Sequence, residues 1–174
     1  MKKIEKILII AISLVSLVSI TNNCNSQEKF DVSTGFGIFE LVNIGARYQP
    51  TEKAQFGLKV GTFPSKNEKL ISISGDVYYH FAGVSKLSNQ PPWYGKLGLD
   101  YLRDETKSVI DKYLFLTIRI GRDINFTNRL GMKLDAGLDL ELDHKQTHKL
   151  PSDWNINIDI PVLPTGGIEL FYRL

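Results

Sequence analysis

The 174-residue chain has a single cysteine, Cys24, so no intramolecular disulfide can staple the fold and no cysteine cluster can hold a metal. Net charge is scarce as well. With 21 Lys and Arg against 19 Asp and Glu, the formal balance is only +2, which gives no reason to expect a nucleic-acid partner. Histidine is rare, and no glycine-rich phosphate loop or nucleophile elbow is present. Beyond residue 20 there is no long uncharged apolar run and no sustained apolar period of 3.6, which excludes a long helix. No low-complexity tract or Pro/Ser-rich linker divides the chain, so one domain is expected.

The one apolar run is at the start. Lys2, Lys3 and Lys6 precede Ile7–Ile20, which carries no charge. A basic start followed by a short apolar stretch is the form of a secretory signal, and it is short for a membrane-spanning helix. Cys24 and Ser26 are small residues spaced for cleavage before Gln27, giving a signal peptide over 1–26 and a mature domain over 27–174. Lipidation of Cys24 is the alternative, although Asn22 and Asn23 make a poor lipidation motif.

What the mature part has in abundance is alternation. Leu130, Met132, Leu134, Ala136, Leu138, Leu140 and Leu142 are interleaved with Gly131, Lys133, Asp135, Gly137, Asp139 and Glu141. Successive side chains of a strand point to opposite faces, so this stretch has one apolar and one charged face. Seven further segments repeat the form: Val32–Ile38, Val42–Tyr48, Ala54–Thr62, Leu70–Phe81, Trp93–Tyr101, Tyr113–Gly121 and Gly167–Leu174. The expectation is all-β, an antiparallel up-and-down barrel of eight strands. Residues 30–49 read as two strands or as one bent strand, because Phe39–Leu41 lacks turn residues. Gln49–Lys53 and Asp123–Asn128 read as short connections; Pro64–Lys69, Arg103–Lys112 and His144–Asp153 read as longer charged loops. Ala82–Pro92 is long where the alternation asks for a short turn.

Two orientations of such a barrel are open: apolar face inward, as in a soluble lipocalin-like barrel, or apolar face outward into lipid around a polar lumen. Glycines favour the second. Gly35, Gly37, Gly45, Gly57, Gly61, Gly98, Gly121, Gly131 and Gly137 all share the polar face, where each weakens a solvated strand but makes room in a cramped lumen. The same face carries Arg47, Lys59, Lys96, Arg119, Lys133 and Arg173 with Asp76, Asp100, Asp135, Asp139, Glu141 and Glu169. Six of each sign permit the pairing that buried charge requires. Tyr48, Phe63, Tyr79, Phe81, Trp93, Tyr101, Tyr113 and Tyr172 lie near strand ends, as an interfacial girdle requires.

The segment Thr165-Gly166-Gly167-Ile168-Glu169-Leu170-Phe171-Tyr172 resembles the C-terminal assembly signal of bacterial outer-membrane barrels, with Gly167, Leu170 and Tyr172 in its key places. It departs from that pattern by ending on Leu174 after Arg173. Across residues 30–174 the chain resembles small outer-membrane barrels of the OmpA/OmpX size class, and more closely the small exported barrel proteins of Bacteroidetes-type bacteria. Glu40–Gln49, Ser74–Phe81, Arg119–Asp123 and Phe171–Leu174 carry that resemblance. It implies an envelope location, lipid and the barrel assembly machinery as partners, and a monomer; it carries over no catalytic residue.

Chemistry is sparse. His144 and His148 fall in a Lys-rich stretch without a third ligand, which reads as a solvated loop. Ser74, Asp76 and His80 share a strand face, but Ser74 and His80 are about 20 Å apart at ~3.3 Å per residue, so lumen hydrogen bonding is expected. No catalytic residue, cofactor or metal is assigned. The hairpin 143–164 could bind a surface partner by strand addition. The expected role is structural or surface-interacting. A binding or transport module for a small apolar molecule is the alternative, with Phe39, Tyr78, Phe115 and Phe171 as its lumen patch.

Overall fold

The structure, a computed structural model, describes residues 29–64, 69–106, 109–148 and 162–174. The expected signal segment with Cys24, and residues 149–161 of the 143–164 hairpin, lie outside the described residues. Eight strands run β1 (Phe30–Gly37), β2 (Leu41–Tyr48), β3 (Ala54–Pro64), β4 (Lys69–Ala82), β5 (Trp93–Glu105), β6 (Val109–Asn125), β7 (Leu130–His148) and β8 (Val162–Arg173). Every neighbour is antiparallel, and β8 pairs with β1 through Thr34 opposite Leu170, closing the barrel. Closure leaves no unpaired sheet edge around the wall.

Residues 30–49 form two strands. A turn at Ile38–Glu40 separates them, and Leu41 takes a left-handed backbone with φ 58°. That conformation costs a leucine about 1 kcal/mol or more, so something must hold it. Two expected loops are corrected to strand. β5 and β6 continue through most of Arg103–Lys112 and meet in a three-residue connection, and β7 continues to His148, which puts His144 in a strand rather than a loop. Charge-rich composition suggested loops there, but the inner-facing partners Tyr113 and His144 stack at 4.2 Å and prolong the ladder. Among the described residues β7 pairs with β8 up to Leu140 and with β6 on to His148.

The alternation resolves into inside and outside on every strand. Phe36, Ile44, Leu58, Ile73, Leu97, Ile118, Leu134 and Leu170, one from each strand, stand exposed on the outer wall. Arg47, Lys59, Asp76, Lys96, Arg119, Lys133 and Glu169 are buried in the lumen. This is the reverse of a lipocalin-type barrel. On β4 the outer apolar positions run from Ile71 to Phe81. Those ten steps cover about 33 Å of strand, or about 25 Å of height at a tilt of ~40°.

The start of β1, the end of β8 and the β2–β3, β4–β5 and β6–β7 connections lie at one end of the barrel, here termed the terminal end; the other is the distal end. Phe30, Tyr48, Phe56, Tyr79, Phe81, Trp93, Phe126 and Tyr172 ring the outside of the terminal end. Tyr113, expected in a girdle, instead turns inward against Phe115 and His144.

Candidate functional site

An eight-stranded barrel has an interior just wide enough for side chains to fill, and the sequence fills this one in layers. From the terminal to the distal end, the inward positions of β4 are His80, Tyr78, Asp76, Ser74, Ser72 and Leu70; those of β5 are Tyr94, Lys96, Gly98, Asp100 and Leu102. The order is aromatic, then charged, then small and polar, then apolar.

Glu40 organises the charged layer. The β1–β2 turn folds into the lumen, where Ser72 Oγ donates to the Glu40 carbonyl at 2.9 Å. The Glu40 carboxylate then meets three cations: Lys96 Nζ at 2.5 Å, Arg119 Nη2 at 2.9 Å and Lys59 Nζ at 3.4 Å. Gly61 makes the inward turn possible, since a Cβ there would fall 1.9 Å from the Glu40 carbonyl oxygen. The clamp on Glu40 is also what holds Leu41 in its strained backbone.

Around this hub the expected lumen charges divide. Lys59 also binds Glu169 at 2.5 Å and Asp76 at 3.0 Å, and Arg47 binds Glu169 at 2.6 Å. Arg119 reaches Asp135 at 3.2 Å and Asp139 at 3.4 Å. Asp100 accepts from Thr117 Oγ1 instead of joining the hub. Lys133 is apart as well. It binds Asp123 at 2.7 Å and lies 4.4 Å from the Tyr94 ring and 5.2 Å from the Tyr78 ring, a cation held by one carboxylate and aromatic faces. Arg173 lies at the terminal mouth, donating to the Asn128 carbonyl at 3.0 Å over the Phe171 ring. Glu141 sits past the bulge at Leu114/Phe115 and joins no ion pair among the described residues.

Sequence reasoning missed Glu40, Asp31 and Asp123. Glu40 sits in a turn, out of phase with both flanking strands, so alternation assigned it to no face. A signal was available nonetheless. The first three strands offered Arg47 and Lys59 but no acid, a deficit that Asp31 and Glu40 make good, with Asp31 Oδ2 3.6 Å from Arg47 Nε and accepting from Gln55 Nε2 at 2.7 Å.

Other candidate groups are separated. Asp76 is engaged by Lys59 and Lys96, while His80 Nδ1 is 2.7 Å from the Pro91 carbonyl, so Ser74, Asp76 and His80 form no relay. Of the four apolar lumen candidates, Phe39 stacks on Phe115 at 4.2 Å beside Leu41 and Leu102 at the distal end. Tyr78 and Phe171 belong to the cage around Arg47 and Lys133 at the terminal end. The charged layer lies between them, so they form no continuous apolar path. On β8, Gly167 faces the lumen near Arg119 and Asp135, whereas Leu170 and Tyr172 face outward.

The terminal mouth is crossed by the ten-residue connection 83–92. Gly83, at φ 89°, starts it. Asn125 Nδ2 donates to Ser85 Oγ at 3.2 Å, and the Asp123 backbone N–H donates to the Pro92 carbonyl at 2.8 Å, pinning both ends to β6.

No family model and no curated protein matches the chain. Among solved structures it is similar to the N-terminal β-barrel domain of Pseudomonas aeruginosa OprF, at TM-score 0.50 and 14% identity over 83% of this chain and 95% of that one. It is also similar to Acinetobacter baumannii CarO, at TM-score 0.50 and 11% identity over 88% and 100%. At that identity the likeness is one of fold: a closed, eight-stranded, antiparallel up-and-down barrel.

Proposed function

We propose that the chain is an integral barrel of the bacterial outer membrane, exported by a signal peptide, with a filled polar lumen and a structural or surface-interaction role. The observation that carries this reading is the outer wall. Apolar residues stand exposed on all eight strands, over about 25 Å of height on β4, which matches the apolar band of such barrels. A continuous exposed apolar surface of that extent marks contact with a membrane or a partner. The likeness to outer-membrane barrels supports the same reading. The resemblance to Bacteroidetes-type exported barrels belongs to it too, with Gly167, Leu170 and Tyr172 as the signal read by the assembly machinery. In this orientation the terminal end faces the periplasm and the distal end, where the 143–164 hairpin connects β7 to β8, faces outward.

The Glu40 hub crosses the lumen, and the Leu41, Leu102 and Phe115 cluster packs above it. Among the described residues these side chains fill the lumen, which favours a structural or surface role over general diffusion. Expression of the full chain in a Gram-negative host tests this. Recovery with the outer-membrane fraction and a heat-modifiable band on a gel are expected; recovery as a soluble periplasmic protein would refute it.

A further inference from the structure

We propose that the terminal mouth holds a binding site for a small carboxylate-bearing, amide-rich ligand, of the class of a peptide C-terminus. The other connections at this end need only residues 49–53 and 126–129, so the ten residues of 83–92 exceed what turning the chain requires. Together they build a cavity of about 370 Å³, within the range of small-molecule sites. Among the described residues, Lys86 and Arg173 line it with Gln49, Asn89, Gln90 and Asn128, and no carboxylate side chain does.

Two cations with no acid among the described lining residues favour an anion. The planar guanidinium of Arg173 suits the two oxygens of a carboxylate. The four carboxamides each offer donors and an acceptor, which match peptide groups better than a bare ion. Gln90 adds an independent sign. It is only 4% exposed, yet its amide nitrogen has no hydrogen-bond partner, and buried donors are normally paired. The site is also preorganised, because Gly83, the Ser85–Asn125 bond, the His80–Pro91 bond and the Asp123–Pro92 bond fix the connection before any ligand arrives.

The test uses the barrel refolded in detergent micelles, with folding verified by heat-modifiable mobility, and so stands apart from the membrane-fractionation experiment. N-acetylglycylglycine is titrated while amide resonances of residues 85–90 and 128 are followed by NMR. Saturable shifts confined to that region are expected. The neutral N-methylamide of the same peptide should bind about tenfold more weakly, the loss expected for one charge-assisted contact. Lys86 is exposed, so K86Q folds and should weaken the acid without altering the neutral analogue; R173Q should do so more strongly. Equal binding of acid and amide, no saturable shift, or inorganic phosphate binding as tightly as the peptide would overturn the proposal.

Discussion

Replacing Glu40 with glutamine keeps the side chain's shape and removes its charge at the centre of the lumen. The consequence can be worked from the distances. Lys59 keeps Glu169 at 2.5 Å and Asp76 at 3.0 Å, so it loses little. Arg119 keeps Asp135 and Asp139 but loses its nearest carboxylate. Lys96 is hit hardest, since Asp76 at 3.5 Å is the carboxylate left to it. Removing one partner from a buried ion pair costs roughly 3–5 kcal/mol, and the retained partners place E40Q at the lower end, about 3. Urea titration of the barrel folded in lipid vesicles, read by tryptophan fluorescence, measures it. With an m-value of about 2 kcal/mol/M, the midpoint should fall by about 1.5 M. Adding K96M to E40Q removes the stranded ammonium, so the double variant should recover about 1–2 kcal/mol relative to additivity. E141Q, outside the hub, should stay within about 0.5 kcal/mol of the parent. An E40Q midpoint within about 0.25 M of the parent at unchanged m would refute the hub, since it would put the cost near 0.5 kcal/mol.

Three further outcomes follow from the same geometry. G61A puts a Cβ 1.9 Å from the Glu40 carbonyl oxygen, so it should displace the inward turn and cost about 2–3 kcal/mol; G95A, with nothing within 4 Å of the new Cβ, should be neutral in the same titration. F115A removes the ring stacked between Phe39 and Tyr113 and should cost about 3–5 kcal/mol in the same titration. L138R places a charge on the exposed outer wall and should cost about 2–4 kcal/mol in lipid vesicles if that position meets the bilayer midplane. The same substitution measured as neutral would place Leu138 away from lipid.

The sequence by itself determined the all-β class, the two-faced character of each strand and which face is crowded, while the turn at Ile38–Glu40 that makes residues 30–49 two strands was decided by the structure. Period two assigns a face to every residue within a strand, and glycines interleaved with Arg, Lys, Asp and Glu mark a face where volume is short. That is why Arg47, Lys59, Asp76, Lys96, Arg119 and Glu169 could be named from the pattern alone. Tertiary structure decided what local patterning cannot carry. Glu40 lies in a turn outside any alternation, and its role depends on Lys59, Lys96 and Arg119, which arrive from β3, β5 and β6. Strand ends had the same limitation. Composition marked Arg103–Lys112 as loop, while cross-strand partners kept Arg103–Glu105 and 109–112 in the sheet. The connection 83–92 was visible as an exception in length, but that it bends across the mouth follows from Asn125, Asp123 and His80, the residues it meets only after the barrel has closed.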